Sequence, residues 1–168
     1  RPRNVLTEPL RLIARRGPKP TPRTTQLLRR YDLVQLSEKK PEIALASLQQ
    51  EIETDPNPDK ICAFAELAYL EGKRQEETGQ PSDALDSYGA SVAHAYWFLL
   101  DPNLDRFRNP YDPQFRRACD LYNEALASAM RLAIQQNKLR PGRTHVIQTG
   151  KRQFHVEVLL RGNWHVED

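Results

Sequence analysis

Thirteen prolines stand in this 168-residue chain against seven glycines, and their placement constrains the fold more than any other feature. Proline lacks the N–H that a helix interior needs and its ring clashes with the preceding turn, yet at the first helical position both defects disappear. Nearly all of these prolines fall between stretches in which apolar residues recur every three or four positions, so the chain reads as a series of helices opened by prolines. After a short apolar stretch at 5–14, Gly17-Pro18-Lys19-Pro20-Thr21-Pro22 is a linker, and Leu27, Leu28, Tyr31 and Val34 then share one helical face. Pro41 opens a segment with the stripe Ala44, Leu45, Leu48 and Ile52, which ends at Asp55-Pro56-Asn57-Pro58. A third helix over 59–78 turns Ile61, Phe64, Ala65 and Ala68 inward, with Cys62 beside them. Gly79-Gln80-Pro81-Ser82 is a turn that offers Ser82 as an N-cap, and the following helix carries Leu85, Tyr88, Val92, Ala95, Tyr96 and Leu99. Residues 101–112 form a long loop, and Asp112-Pro113 pairs an N-cap with a first-position proline. Over 114–137, Phe115, Cys119, Tyr122, Leu126, Ala129 and Ala133 make the clearest helical stripe in the chain.

The period then changes. Thr144-His145-Val146-Ile147-Gln148 and residues 153–160 read as two strands around a turn containing Gly150. Phe154, Val156, Val158 and Leu160 fall on one face, with His155 and Glu157 on the other. A lone two-stranded hairpin is marginal in water, so the helices or further sheet must cover its apolar face. The expected fold is mainly α, antiparallel helical hairpins with a C-terminal β-hairpin. It divides into a basic, proline-rich arm (1–23), a helical domain (24–140) and the hairpin (141–168), leading into a further domain beyond this chain. One core is expected to hold Leu48, Phe64, Leu67, Leu85, Tyr88, Val92, Phe115, Tyr122 and Leu126.

Charge is uneven. Residues 1–36 carry nine Lys and Arg against Glu8 and Asp32, a net of +7, which leaves −4 for the rest of a chain whose total is +3. The segment 11–30 could meet phosphates, but no aromatic is interleaved for base stacking, so a solvated arm is the better reading and nucleic acid is disfavoured. No apolar run approaches the roughly 20 residues of a membrane helix. Cys62 and Cys119 lack neighbours at zinc spacing and read as buried thiols, with a single bridge left open for an exported protein.

The search for chemistry finds little. A nucleophile elbow needs G-x-S-x-G; Gly89-Ala90-Ser91-Val92-Ala93 lacks the second glycine and lies inside a helix, so no catalytic residue is assigned. Of His94, His145, His155 and His165, only His145 and His155 could meet, across the hairpin, and no third metal ligand is evident, so no metal site is assigned. Neither phosphate-binding glycine motif occurs, and no cofactor is expected. Glu66, Glu71, Glu76 and Glu77 interleave with Lys73 and Arg74 and read as a solvated charged face. Within 101–112, Arg106, Phe107, Arg108 and Tyr111 make a candidate docking loop, the alternative being that Phe107 and Tyr111 only pin the loop to the helices.

Gly72 lies twelve residues before Ala84, Gly79 five before it and Tyr88 four after it. In these offsets the helical part resembles tetratricopeptide repeats, paired-helix modules of about 34 residues, and Ala44, Leu48 and Pro56 form a partial second copy. The chain departs from that pattern at Glu71, in the missing terminal proline of the copy around Ala84, and in the loop after Asp101. Residues 63–69, Tyr88 with 93–100, and Phe115-Arg116-Arg117-Ala118-Cys119-Asp120-Leu121-Tyr122-Asn123 resemble the helical region that precedes the catalytic domain of bacterial envelope-associated α/β-hydrolases. That resemblance implies an envelope or periplasmic setting, and esterase- or lipase-like chemistry in a downstream domain of the same polypeptide rather than here. The ranked readings are a non-catalytic accessory domain of a hydrolase, a free-standing module that binds a peptide or protein, and a polyanion binder acting through its basic arm.

Overall fold

The structure is a computed structural model that describes residues 19–136, 138–140, 142–148, 153–157 and 159. Six α-helices run in order: α1 (Pro22–Arg30), α2 (Val34–Lys39), α3 (Pro41–Thr54), α4 (Pro58–Glu77), α5 (Pro81–Leu100) and α6 (Pro113–Gln135). A 3₁₀ helix, Pro102–Phe107, follows α5, and the antiparallel strands β1 (Thr144–Gln148) and β2 (Gln153–Glu157) follow α6. All of these helices except α2 begin with proline at the first position. Side chains complete several of these starts. Thr21 accepts from Thr24 N–H, Asn57 from Asp59 N–H, Asp101 from Asn103 N–H and Asp112 from Gln114 N–H.

Three local expectations are corrected. Leu27, Leu28, Tyr31 and Val34 do not lie on one helix: Asp32 adopts a left-handed backbone (φ 55°) and splits the segment into α1 and α2, a conformation that Asp tolerates better than most residues. Ser82 is not the cap of α5, because Pro81 already occupies the first position and Gln80 precedes it without a side-chain bond. Residues 101–112 are not wholly irregular, since the 3₁₀ helix takes up their first half. The stretch 5–14, Val158 and Leu160 lie outside the described residues.

The center of the fold is α4. It forms a hairpin with α5, which in turn packs on α6, while α1, α3 and α6 close on its remaining sides. Consequently fourteen of its residues are buried, polar ones among them. The apolar interior is two clusters rather than the single core expected. Leu28, Leu48, Ile52, Ile61, Phe64 and Phe98 build one where α1, α3 and α4 converge; Tyr69, Leu85, Tyr88, Leu121 and Leu132 build the other between α4, α5 and α6. Of the nine core residues read from sequence, Leu48, Phe64, Leu67, Leu85 and Tyr88 are buried, and Val92, Phe115, Tyr122 and Leu126 are half-buried. Val156 of β2 and Leu139 join the second cluster, so the helices cover part of the hairpin.

The closest approach in the α4–α5 hairpin is at Gly72. A Cβ there would stand 2.7 Å from two carbons of the Tyr88 ring. That ring is buried, and its hydroxyl donates to Glu76 at 2.9 Å, so it has nowhere to retreat. Gly79 ends the hairpin's first arm with a left-handed φ of +75°, where glycine is unstrained. Gly72→Ala is expected to destabilise by about 2 kcal/mol through overpacking, which exceeds the roughly 1 kcal/mol that alanine gains in helix propensity. Tyr88→Ala should cost about 3 to 5 kcal/mol and the half-buried Tyr122→Ala about 1 kcal/mol. Urea denaturation of the three variants measures all of these.

Candidate functional site

In the run 61–70 of α4, Glu66 is the only charged residue, and it is 2% exposed. A carboxylate withdrawn from water is costly unless donors surround it. The Thr21 and Thr24 hydroxyls donate to Glu66 at 2.8 and 2.6 Å, Thr21 N–H at 3.2 Å and Arg117 Nη2 at 2.9 Å. Two turns toward the start of α4, Arg23 reaches Asp59 at 2.9 Å and Asp112 at 3.1 Å. Asp59 also accepts from Gln114 Nε2 at 2.9 Å. The Gln114 N–H and then Arg23 hold the Asp112 carboxyl below the usual range. Together these contacts lash the starts of α1, α4 and α6 around a cleft of about 480 Å³ that Thr21, Arg30, Glu66, Arg117 and Leu121 help to line. The buried Nε of Arg117 meets no acceptor among the described residues.

The solvated face expected for Glu66, Glu71, Glu76 and Glu77 is therefore corrected. Glu71 is 3% exposed and accepts from Arg74 Nη2 and Nε at 2.6 and 2.8 Å. Glu76 is half-buried between the Tyr88 hydroxyl and Arg131, and only Glu77 is fully on the surface. Lys60, also buried, was not singled out from sequence. Its ammonium lies at the end of α3, donating to the Glu51 and Asp55 carbonyls at 3.2 and 3.1 Å, where a helix's partial negative charge favours a cation. Burial pulls its pKa down, but the Asp55 carboxylate and Tyr31 outweigh that and hold it above the ordinary lysine value.

A second feature lies on the opposite flank. Of the stripe that is the clearest in the sequence, Phe115, Cys119, Tyr122, Leu126 and Ala129 are half-buried and only Ala133 is buried; Ala118, Leu121, Ala125 and Leu132, about one residue out of phase, take the rest of the interior. Tyr96 of α5 is 52% exposed rather than in the core, and its ring lies 6.3 Å from that of Tyr122. Leu100 and Met130 are exposed as well. In the candidate docking loop Leu104, not Phe107 or Tyr111, is the buried anchor. Tyr111 is 94% exposed, Phe107 is exposed under the Arg106 guanidinium at 4.6 Å, and Arg108 pairs with Asp105 and donates to the Phe98 carbonyl at 3.3 Å. The pinning role considered for Phe107 and Tyr111 is thus overturned: the loop presents Arg106, Phe107 and Tyr111 outward, while Arg108 is turned in.

Nucleophiles and bases are not assembled among the described residues. Ser91 is buried and donates to the Ala65 carbonyl at 2.7 Å, bracing α5 on α4. Both cysteines are free thiols, and burial pushes each up, Cys62 far above the reactive range. The hairpin register pairs His145 with Val156 and Val146 with His155, which puts the two histidines on opposite faces and separates the one pair considered for metal or acid–base work. His165 lies outside the described residues. Among those described, no three His, Cys, Asp or Glu side chains gather as metal ligands, and no helix is long and apolar enough to cross a membrane.

The class defined by this fold is a mainly helical assembly of antiparallel hairpins that carries a small β-hairpin. No family model, curated protein or solved structure matches it.

Glu66→Ala is expected to cost about 3 to 5 kcal/mol, since it strands Arg117 and two hydroxyls, and Thr24→Val about 1 kcal/mol; denaturant unfolding checks both. Burial works to raise the Glu76 pKa, but the Tyr88 hydroxyl and Arg131 outweigh it and lower it. A depressed carboxylate contributes stability that is present above its unfolded pKa, near about 4.3, and is lost as pH falls through the lower folded value. Melting temperatures between neutral and acid pH should therefore fall less in Glu76→Gln than in the native protein.

Proposed function

We propose that this chain is a non-catalytic helical scaffold domain that packs against a catalytic body, by resemblance an α/β-hydrolase domain of the same polypeptide. The observation that carries this reading is the α5–α6 face. A helix's strongest apolar stripe is normally its buried one, yet here Phe115, Cys119, Tyr122 and Leu126 remain half-covered beside exposed Tyr96 and Leu100. In a stack of helical hairpins such a face is where the next element docks, and after Gln135 the chain instead turns toward the strands. Val146, on the hairpin face opposite Val156, is a further exposed apolar side chain. The settings of Ser91, Cys62 and Cys119 agree with a scaffold, because each is occupied by packing or a structural hydrogen bond.

A second reading, a free-standing module that binds a peptide or protein, draws on the cleft between α1, α4 and α6. Its mouth offers Arg30, and its wall offers a buried guanidinium nitrogen in want of an acceptor. Polyanion binding through the basic arm gains less, since Arg23 is already committed to Asp59 and Asp112.

The test is to express the protein with whatever its gene encodes after Asp168, beside the 168-residue chain, and to assay both on a short-chain ester. Turnover is expected only from the longer protein, together with slower amide exchange at Tyr96, Tyr122, Leu126 and the hairpin. Turnover by the 168-residue chain that is lost in Ser91→Ala would overturn the scaffold reading. A continuation with no nucleophile elbow would transfer the proposal to the interaction module.

A further inference from the structure

His94 sits on α5 where α5 meets α3. Its ring is buried and stacked on Phe64 of α4, centroids 3.9 Å apart, with Trp97 tilted against it at 6.1 Å. Nδ1 lies 2.9 Å from the Ala90 carbonyl, which can only accept, and Nε2 lies 3.0 Å from Gln49 Oε1 on α3. The orientation of the Gln49 amide is set by its other end, where Nε2 donates to the Glu53 carboxylate at 3.1 Å. Turning the amide over would bring its oxygen against that carboxylate. Both ring nitrogens therefore face acceptors, and only the imidazolium carries two N–H donors to satisfy them.

We infer that His94 is a pH-sensitive tie between α3 and α5, closed while its ring holds two protons and loosened when it loses one. Burial in the apolar cluster opposes the charge, and the surrounding groups oppose burial. From α3 come Glu53, acting through Gln49, and Glu51. From α4 comes Lys60, one turn before Phe64, with its ammonium already taken up by Asp55 and Glu51. On α5 are Asp86, two turns before His94, and Asp101, which accepts from the Trp97 indole at 2.8 Å. Arg108, after α5, offsets Asp101 and is itself paired with Asp105, so both cations, Lys60 and Arg108, are already held by carboxylates. The stacked Phe64 ring adds a face that attracts a cation. A histidine whose folded pKa is raised contributes stability fully present below the unfolded value of about 6.5, and that stability is lost as pH rises through the folded value. The release acts on α3, whose main contacts among the described residues are otherwise with its neighbours α2 and α4.

The experiment is a pH titration of the whole chain by two-bond proton–nitrogen correlations of the imidazoles, with the exposed His155 as internal reference. His94 is expected to carry both protons at pH 6.5 and to titrate at least half a unit above His155, roughly the shift one lost hydrogen bond produces. Amide protection in α3 should fall across the same midpoint. Glu53→Gln, an exposed change that spares the fold, frees the Gln49 amide to turn over and should lower the midpoint, whereas Gln49→Glu should raise it. A midpoint at or below that of His155, or one that neither variant moves, would overturn the inference.

Discussion

Everything in this fold depends on how α4 is enclosed. A helix hemmed in by α1, α3, α5 and α6 keeps little solvent face, so each polar residue that it buries must find its partner inside the protein. Glu66 finds Thr21, Thr24 and Arg117; Lys60 finds the end of α3; Glu71 finds Arg74; Gln75 accepts from the Ser87 hydroxyl at 2.7 Å. These pairs add little net stability over apolar replacements, but they fix the order in which helices assemble on α4. Only α1 brings two threonines to the one acidic position that α4 buries on that side.

The same enclosure divides the surface into two kinds. Around the starts of α1, α4 and α6 the polar groups are densely cross-paired, and the cleft left there is bounded by charges already committed to one another. On the α5–α6 flank the described residues make no such network. Tyr96, Leu100 and Met130 lie open beside half-buried Tyr122, and Phe107 and Tyr111 of the loop after α5 are exposed as well. The first region holds the helices together, and the second has the character of a surface that holds something else.

Much of the helical layout was legible because proline acts locally. Pro41 and Pro113 read as helix starts by the geometry of a single residue; Pro22, Pro58 and Pro81, which read as linker or turn, open helices in the same way. The Gly72–Tyr88 approach was legible for a related reason, since a glycine, a small residue and an aromatic at fixed offsets describe one hairpin's own contact. The burial of Glu66 left a signal too, a lone carboxylate in an otherwise uncharged run of ten, but identifying its partners needed Thr21 and Arg117, 45 and 51 residues away. The phase of α6 misled for the opposite reason: periodicity ranks side chains by polarity, and the face that packed closest to α4 and α5 was the one with small residues, Ala118 and Ala125, which let the helices approach.

What the sequence determined by itself, then, is roughly where the longer helices lie, where the chain turns to strand, and which small residues allow α4 and α5 their close contact, all consequences of backbone sterics within a few neighbours. Only the tertiary structure decided which charges are interior, which apolar stripe is left over, and that His145 and His155 part to opposite faces while His94 is caught between two acceptors. Those outcomes rest on distances between segments far apart in the chain, and no local pattern of residues carries that information.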